Sequence, residues 1–307
     1  MTTAFYTHPA CKLHEMGFGH PECPERLIAI DAELNSSQLS DHLVHREAPL
    51  ATEAQLALVH NEDHISRIRQ HIPVSGYFQI DGDTSLNPSS WTAARAAAGA
   101  AIAATSAVIE GQVNSAFCAI RPPGHHATPT TAMGFCLFNN IALAAQHALT
   151  DHGLERVAIV DFDVHHGNGT QAAFLDDERV LMVSFFQHPL YPYSGAEASS
   201  ANMHNIPVPA YTDGKAVRAL VEQHWLPALH EHKPQMIFIS AGFDAHRDDL
   251  IGQMRLVEDD YKWMTRQIRQ VAQQYSQGRI VSCLEGGYNT SALARSVVAH
   301  IQAMVEV

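Results

Sequence analysis

Two carboxylates and an imidazole recur at two-residue spacing in Asp161-Phe-Asp-Val-His-His-Gly-Asn-Gly-Thr170, directly after the apolar run Val157-Ala-Ile-Val160. That run is β-branched and bounded by polar residues, as a short buried strand is. If the chain stays extended beyond it, Asp161, Asp163 and His165 project to one face. Gly-Asn-Gly then allows a sharp turn, and Thr170 opens a helix-like segment. Carboxylates plus imidazole, with no thiolate, suit Zn²⁺ as a catalytic site or a harder transition metal. A plainer reading is a polar turn whose Asp and His cap the next helix. A single metal needs a third strong ligand from elsewhere in the chain.

The elements that must position such a site repeat one pattern of strand followed by polar loop. Phe117-Cys-Ala-Ile120 runs into Arg121-Pro-Pro-Gly-His-His126, where Pro122 and Pro123 forbid helix and central strand and hold the histidines on a rigid, irregular backbone. Val180-Leu-Met-Val-Ser-Phe185 empties into His188-Pro-Leu-Tyr-Pro-Tyr-Ser-Gly195. Met236-Ile-Phe-Ile-Ser240 leads to Ala-Gly-Phe-Asp-Ala-His246 and puts Asp244 at a strand end as the missing third ligand. Ile280-Val-Ser-Cys-Leu284 ends in Glu285-Gly-Gly-Tyr288. Helices are predicted over 24–34, 54–70, 91–109, from after Asn139 to about 152, over 214–231 and 258–275, and in a last segment to the C-terminus. Strands alternating with helices of this length predict a three-layer α/β/α fold around a mainly parallel sheet, whose carboxyl edge is where ligands bind. The loop Met16-Gly-Phe-Gly-His-Pro-Glu-Cys-Pro-Glu-Arg26 starts the first helix, and Arg26 there reads as an ordinary surface cation.

Composition narrows the class. With 46% hydrophobic residues over 307 positions, a sizeable core is available, and no linker argues for a second domain. The formal charge of −13, from 19 basic and 32 acidic residues, disfavours nucleic acid or an anionic membrane surface and accommodates a cationic, lysine-like partner. Five widely spaced cysteines (Cys11, Cys23, Cys118, Cys136, Cys283) form no Cys-x-x-Cys pair and read as neither a disulfide frame nor a zinc ribbon. The N-terminus lacks a basic region followed by an apolar core, and no uncharged apolar run reaches membrane-spanning length, so a reducing cytoplasm is expected. Because 21 histidines are present, a lone one such as His71 or His232 carries no functional weight.

Jointly, Arg-Pro-Pro-Gly-His-His, Asp-x-Asp-x-His-His-Gly-Asn-Gly, Gly-Phe-Asp and Glu-Gly-Gly-Tyr, spread from about Gly19 to Tyr288, resemble the zinc-dependent histone deacetylase family of the arginase-deacetylase superfamily. Asn168 and the Gly-Phe-Asp spelling look more like its class II and bacterial amidohydrolase branch. The resemblance implies the arginase-deacetylase fold, a single catalytic domain over 1–307, and hydrolysis of acetyl-lysine or a related acylated amine to free amine and acetate through a metal-bound water. It implies one Zn²⁺ per chain, with Fe²⁺ open as the ion in the cell, on Asp163, His165 and Asp244. His125 and His126 become the catalytic pair, with Asp161 behind His125 and Asn168 behind His126. Tyr288 becomes the transition-state donor, worth ~3–4 kcal/mol. Gly134, Phe135 and Tyr191 would line the acyl-lysine tunnel. Two carboxylates largely neutralise Zn²⁺, so its water is acidified less than the pKa of ~7 reached at an all-histidine site. A protein base is therefore needed, and His126, paired with a neutral amide, would titrate near the working pH. Gly286 and Gly287 either give Tyr288 room to swing or form a plain tight turn.

The family also implies a potassium site behind the zinc, on Asp161, Asp163, His165 and Ser184 with the Phe185 carbonyl. A second, more exposed one would use the Phe174 and Val180 carbonyls, making one or two structural K⁺ per chain. The expected partner is an acetylated lysine side chain or small acylated amine, and a homo-oligomer is open. An acetylpolyamine amidohydrolase on the same scaffold is the alternative. Such relatives guard the tunnel mouth with a carboxylate, whereas the matching position here is the apolar Ile251, with Asp248 and Asp249 close by in sequence. A binuclear, arginase-like hydrolase would need further carboxylates, but the position after His166 is Gly167 and only His246 is left unassigned nearby. A non-catalytic acyl-lysine-binding protein would be expected to lack Tyr288 or one of the histidine pair, and all are present.

Overall fold

The computed structural model describes residues 2–197 and 200–306. Its strands are β1 (Thr3–Thr7), β2 (Leu43–Glu47), the two-residue β3 (Phe78–Gln79) and β4 (Ser85–Leu86), β5 (Ser115–Cys118), β6 (Val157–Asp161), β7 (Val180–Gln187), β8 (Met203–Val208), β9 (Ile237–Ala241) and β10 (Ile280–Leu284). β3 and β4 pair antiparallel with each other. The other eight form one sheet in the order β2-β1-β5-β10-β9-β6-β7-β8, parallel at every pairing. β5, β6, β7, β9 and β10 are buried along their whole lengths, which is why they read as unbroken apolar runs. The edge strands β2 and β8 are half exposed and less apolar. Sequence periodicity gave no warning of them or of β1.

The helices are α1 (Glu25–Ser36), α2 (Glu53–Leu56), α3 (Glu62–Gln70), α4 (Ser90–Ile109), α5 (Asn140–Thr150), α6 (Asn168–Phe174), α7 (Gly214–Leu220), α8 (Leu226–His232), α9 (Glu258–Tyr275) and α10 (Thr290–Val305). Alternation along the strands assigns them to layers. Tyr6, paired with Cys118, donates its hydroxyl to Ala103 O of α4 at 3.4 Å. Phe117, pointing the other way, meets the His300 ring of α10 at 5.7 Å. α5 packs beside α4, while α1 and α9 flank α10. The alanines of α4 permit a very close approach: a Cβ on Gly99 would lie 1.9 Å from Pro49 O. α4 is also long and apolar enough to cross a membrane, but most of it is buried in the fold.

The single helix expected over 54–70 is broken in two. Thr52 and Gln55 form a capping box on α2, and Asn61 accepts from His64 N to start α3. Between them His60 swings inward, its Nδ1 facing Thr128 O at 3.0 Å and its Nε2 accepting from Asn139 N at 2.9 Å. The helix expected over 214–231 is continuous but widens to a π turn at Val221–Trp225, just before Pro227, whose missing N–H cannot close an α turn.

β9 and β10 come last in the chain yet lie between β5 and β6. The four central strands therefore end side by side on one sheet edge.

Candidate active site

β6 stops at Asp161, and the chain then bends rather than staying extended. Asp163 N donates to Asp161 Oδ1 at 3.0 Å, and His165 N to Asp163 Oδ1 at 2.9 Å, two successive side-chain-to-backbone turns. Asp163 and His165 converge, but Asp161 is turned aside onto His125 Nδ1 at 2.9 Å. The common face expected for all three holds for two. Asp244, from the loop after β9, completes the group. Asp163 Oδ1 and Asp244 Oδ2 lie 3.0 and 3.1 Å from His165 Nδ1, and one donor from each residue lies within 4.8 Å of the others. Donors placed tetrahedrally ~2 Å from one centre are ~3.3 Å apart, so the set fits a single zinc-sized ion. Among the described residues this is the only such cluster.

Each carboxylate is held by its second oxygen. Asp163 Oδ2 accepts from Gly286 N at 2.9 Å and Asp244 Oδ1 from Val164 N at 2.9 Å. A Cβ on Gly286 would stand 2.0 Å from Asp244 Oδ2, and one on Gly242 2.0 Å from Asp163 Oδ2. Gly286 thus makes room for the carboxylates rather than for movement of Tyr288. Burial pushes Asp244 up to about 7. Burial acts on Asp163 too, but His125 and His165 overcome it and hold that carboxyl below its usual range.

His125 and His126 lie with ring centroids 4.1 Å apart, and their carrier loop is tied to α6 by Gly169 N and Thr170 N donating to His125 O. Burial disfavours charge on His125, yet Asp163 and Asp161 outweigh it and raise the group well above the usual imidazole value. His126 Nδ1 meets Asn168 Oδ1 at 2.8 Å. Burial, then His125 and His165, push His126 well below the usual value, lower than the near-neutral position expected. Asn168 Nδ2 faces Met133 Sδ and His126 O, which leaves its oxygen for the ring N–H. His126 therefore carries the Nδ1 proton and offers Nε2.

A cavity of about 220 Å³ is lined by His126, Gly134, Phe135, His165, Tyr191, Ile251, Tyr288 and Asp83. Gly134 and Phe135 both have positive φ, +57° and +66°; a Cβ on Gly134 would sit 2.4 Å from His126 Cδ2, and the rare backbone of Phe135 marks a wall under constraint. Phe135 packs edge-on to Tyr288 at 5.8 Å. Asp83 was not singled out from sequence. It lies in the turn between β3 and β4, where its Oδ1 accepts from Gly134 N at 3.1 Å.

Arg26 is fully buried, contrary to its reading as a surface cation. Its Nε donates to Gly287 O at 2.7 Å and its Nη2 to Glu285 O, and its guanidinium lies 5.0 Å from the Tyr288 ring centroid. Glu22 joins Arg26 at 3.1 Å and Arg121 at 2.6 Å, all three without solvent exposure. Burial alone would raise Glu22, but Arg121 and then Arg26 bring it down to about 2. Glu285 Oε2 accepts from Gly124 N at 2.6 Å and His125 N at 3.1 Å, and burial pushes it up to about 7. The one local hint of this network was the four-residue spacing of Glu22 and Arg26.

The expected cation positions differ. Ser184 faces Asp161 across the β6–β7 pairing, and its hydroxyl donates to Asn205 Oδ1 at 2.9 Å, which leaves its lone pairs able to face an ion. At the second position Asn202 Nδ2 donates to the carbonyls of Phe174, Asp177 and Val180 at 2.8, 3.0 and 3.0 Å. There a side-chain amide already serves the oxygens a cation would need.

The histone deacetylase domain family matches residues 20–304. The chain is 39% identical over 278 residues to a histone deacetylase-like amidohydrolase of Pseudomonas aeruginosa, spanning 88% of this chain and 73% of that one. It is 34% identical over 325 residues to the polyamine deacetylase HDAC10 of Mus musculus, spanning 99% of this chain and 46% of that one. Among solved structures, the HDA15 HD domain superposes with a TM-score of 0.94 at 34% identity, covering 99% and 89% of the two chains.

Proposed function

Because this chain belongs to the histone deacetylase family and is a hydrolase of that kind, we propose that it cleaves the amide of acetyl-lysine, or of a closely related acylated amine, with one zinc ion held by Asp163, His165 and Asp244. The observation that carries this reading is the clustering of those three donors at a cavity that one of them, His165, lines together with His126 and Tyr288. When bound, the ion would polarise the acyl carbonyl and acidify the attacking water. His126 accepts the water proton at Nε2 and returns it to the departing amine, its Nδ1 proton fixed by Asn168. His125, kept cationic by Asp161 and Asp163, adds positive charge beside the developing oxyanion. The Tyr288 hydroxyl donates to that oxyanion. Gly134, Phe135 and Tyr191 enclose the acyl-lysine stem, with Ile251 at the rim. A structural potassium ion behind the site would lie between Asp161, Asp163, His165, Ser184 and the Phe185 carbonyl.

Turnover of a fluorogenic acetyl-lysine substrate should vanish with a chelator and return with one equivalent of Zn²⁺ per chain. Metal-independent turnover, or two tightly bound ions per chain, contradicts the proposal.

Polyamine deacetylation is the second reading. Asp249 and Asp248 do not support it, since the first is committed to backbone amides and the second lies 3.8 Å from Arg295. The carboxylate that favours it is Asp83, on the cavity wall. An aliphatic contact such as Ile251 discriminates by only ~1–3 kcal/mol, so acetyl-lysine peptides should be turned over at least as well as N-acetylputrescine or N8-acetylspermidine. A kcat/KM ~10²-fold higher for the acetylpolyamines, lost in Asp83→Asn, would promote the second reading.

A further inference from the structure

Asp249 follows β9 by eight residues and lies in none of the motifs. Its carboxylate gathers four backbone N–H groups from two separate loops. Oδ2 accepts from Tyr288 N at 2.7 Å and from Asn289 N at 3.2 Å, while Oδ1 accepts from Ile251 N at 2.9 Å and from Gly252 N at 3.4 Å. One loop carries the tunnel-rim residue and the other the hydroxyl donor, and both residues line the same cavity. Asn289 is also the N-cap of α10, accepting from Ala292 N at 3.0 Å. The carboxylate is thereby anchored to a rigid helix whose N-terminal field favours an anion. Hydrogen bonds to an ionised acceptor are about twice as strong as neutral ones. Without them, Tyr288 would hang from Gly286 and Gly287, the latter at φ +120°.

We propose that Asp249 is a positioning residue that couples the tunnel rim to the transition-state donor, so that Ile251 and Tyr288 are placed as one unit. The proposal rests on the deacetylase reading above. A substrate that seats well against Ile251 thereby steadies Tyr288, and rim contacts are felt in kcat as well as in KM.

The test is a double-mutant cycle on acetyl-lysine substrate with Asp249→Asn, Tyr288→Phe and the pair, each with bound metal measured. Asparagine keeps the size but turns an N–H₂ toward amides that need an acceptor. Asp249→Asn alone should lower kcat ~10-fold or more with metal content unchanged, and should cost less than ~2-fold in the Tyr288→Phe background. An unchanged kcat, or the same factor in both backgrounds, overturns the proposal, because a brace acting independently of Tyr288 would multiply. Should Asp249→Asn fail to fold, hydrogen exchange on the unaltered protein decides. Amides 251–252 and 288–289 should share one opening free energy, and separate values overturn the coupling. If the unaltered protein turns over no acetylated amine, the deacetylase reading fails, while the exchange measurement still judges the link through Asp249.

Discussion

The buried ring of Tyr288 packs against the Phe135 ring and the Arg26 guanidinium, and burial pushes the pKa of its hydroxyl well above the usual phenol value. It remains a neutral donor throughout the working range. On the proposed mechanism, Tyr288→Phe should therefore lower kcat by ~10²–10³ while metal content and KM stay nearly unchanged, since the bond matters once negative charge develops. Steady-state kinetics with metal analysis checks this, and an unchanged kcat removes Tyr288 from the mechanism. At this scale sequence was most legible where chemistry-bearing side chains follow apolar runs, as with Asp163, His165, Asp244 and the histidine pair. It was least legible where a charge is buried by distant parts of the chain. Arg26 has the spacing of a surface helix residue, and only the approach of the Glu285 and Gly287 carbonyls makes it internal. Asp83 likewise needed the β3–β4 turn to reach the cavity.

Elements are joined beneath the site by the Glu22, Arg26 and Arg121 cluster, which ties the N-terminal loop to α1, to the segment after β5 and, through Arg26, to the loop after β10. Removing the shared anion leaves two guanidinium groups without their counter-charge, so Glu22→Ala should destabilise the fold by about 3–5 kcal/mol. A urea midpoint within error of the unaltered protein would show that the cluster is not coupled to folding. Elsewhere Asn202 holds three carbonyls in the segment between α6 and β8. Asn202→Ala should create an opening for a monovalent cation there, and the melting temperature should become more sensitive to KCl relative to choline chloride than in the unaltered protein. Equal salt responses contradict that reading. Helix boundaries show why elements were only partly readable. The stripe over 54–70 is apolar enough for one helix, but the inward turn of His60 to Asn139 breaks it, and a contact 79 residues away leaves no local periodic signal.

The molecule as a whole buries several neutral histidines. Burial lowers His14 to about 4, and His60 and His300 to about 3. In the unfolded chain these groups bind protons near their ordinary value of 6.5, while the folded chain does not. Their contribution to stability is therefore intact above that value and is lost progressively as pH drops toward 4. His125 and His165, shifted upward, and the buried acids Asp244 and Glu285, raised to about 7, act in the opposite sense as pH falls, so the histidine contribution is read by difference. The change in urea midpoint between pH 7.5 and pH 5 should be less destabilising in His300→Gln than in the unaltered protein, and an identical pH response in the two contradicts the burial argument. The parallel layered architecture was legible from alternating strands and helices, but the strand order was not, because nothing local specifies that β9 and β10 enter between β5 and β6. That insertion has a temporal consequence. A chain emerging from the ribosome displays Asp163 and His165 long before Asp244 exists, and the strand that carries Asp244 must wedge into a gap whose far wall, β10, is made later still. No early subassembly can present a complete donor set. If the proposed zinc site is right, metal capture should therefore coincide with closure of the central sheet, at the slow, high-contact-order end of folding, so that the nascent chain holds no ion in a half-built site.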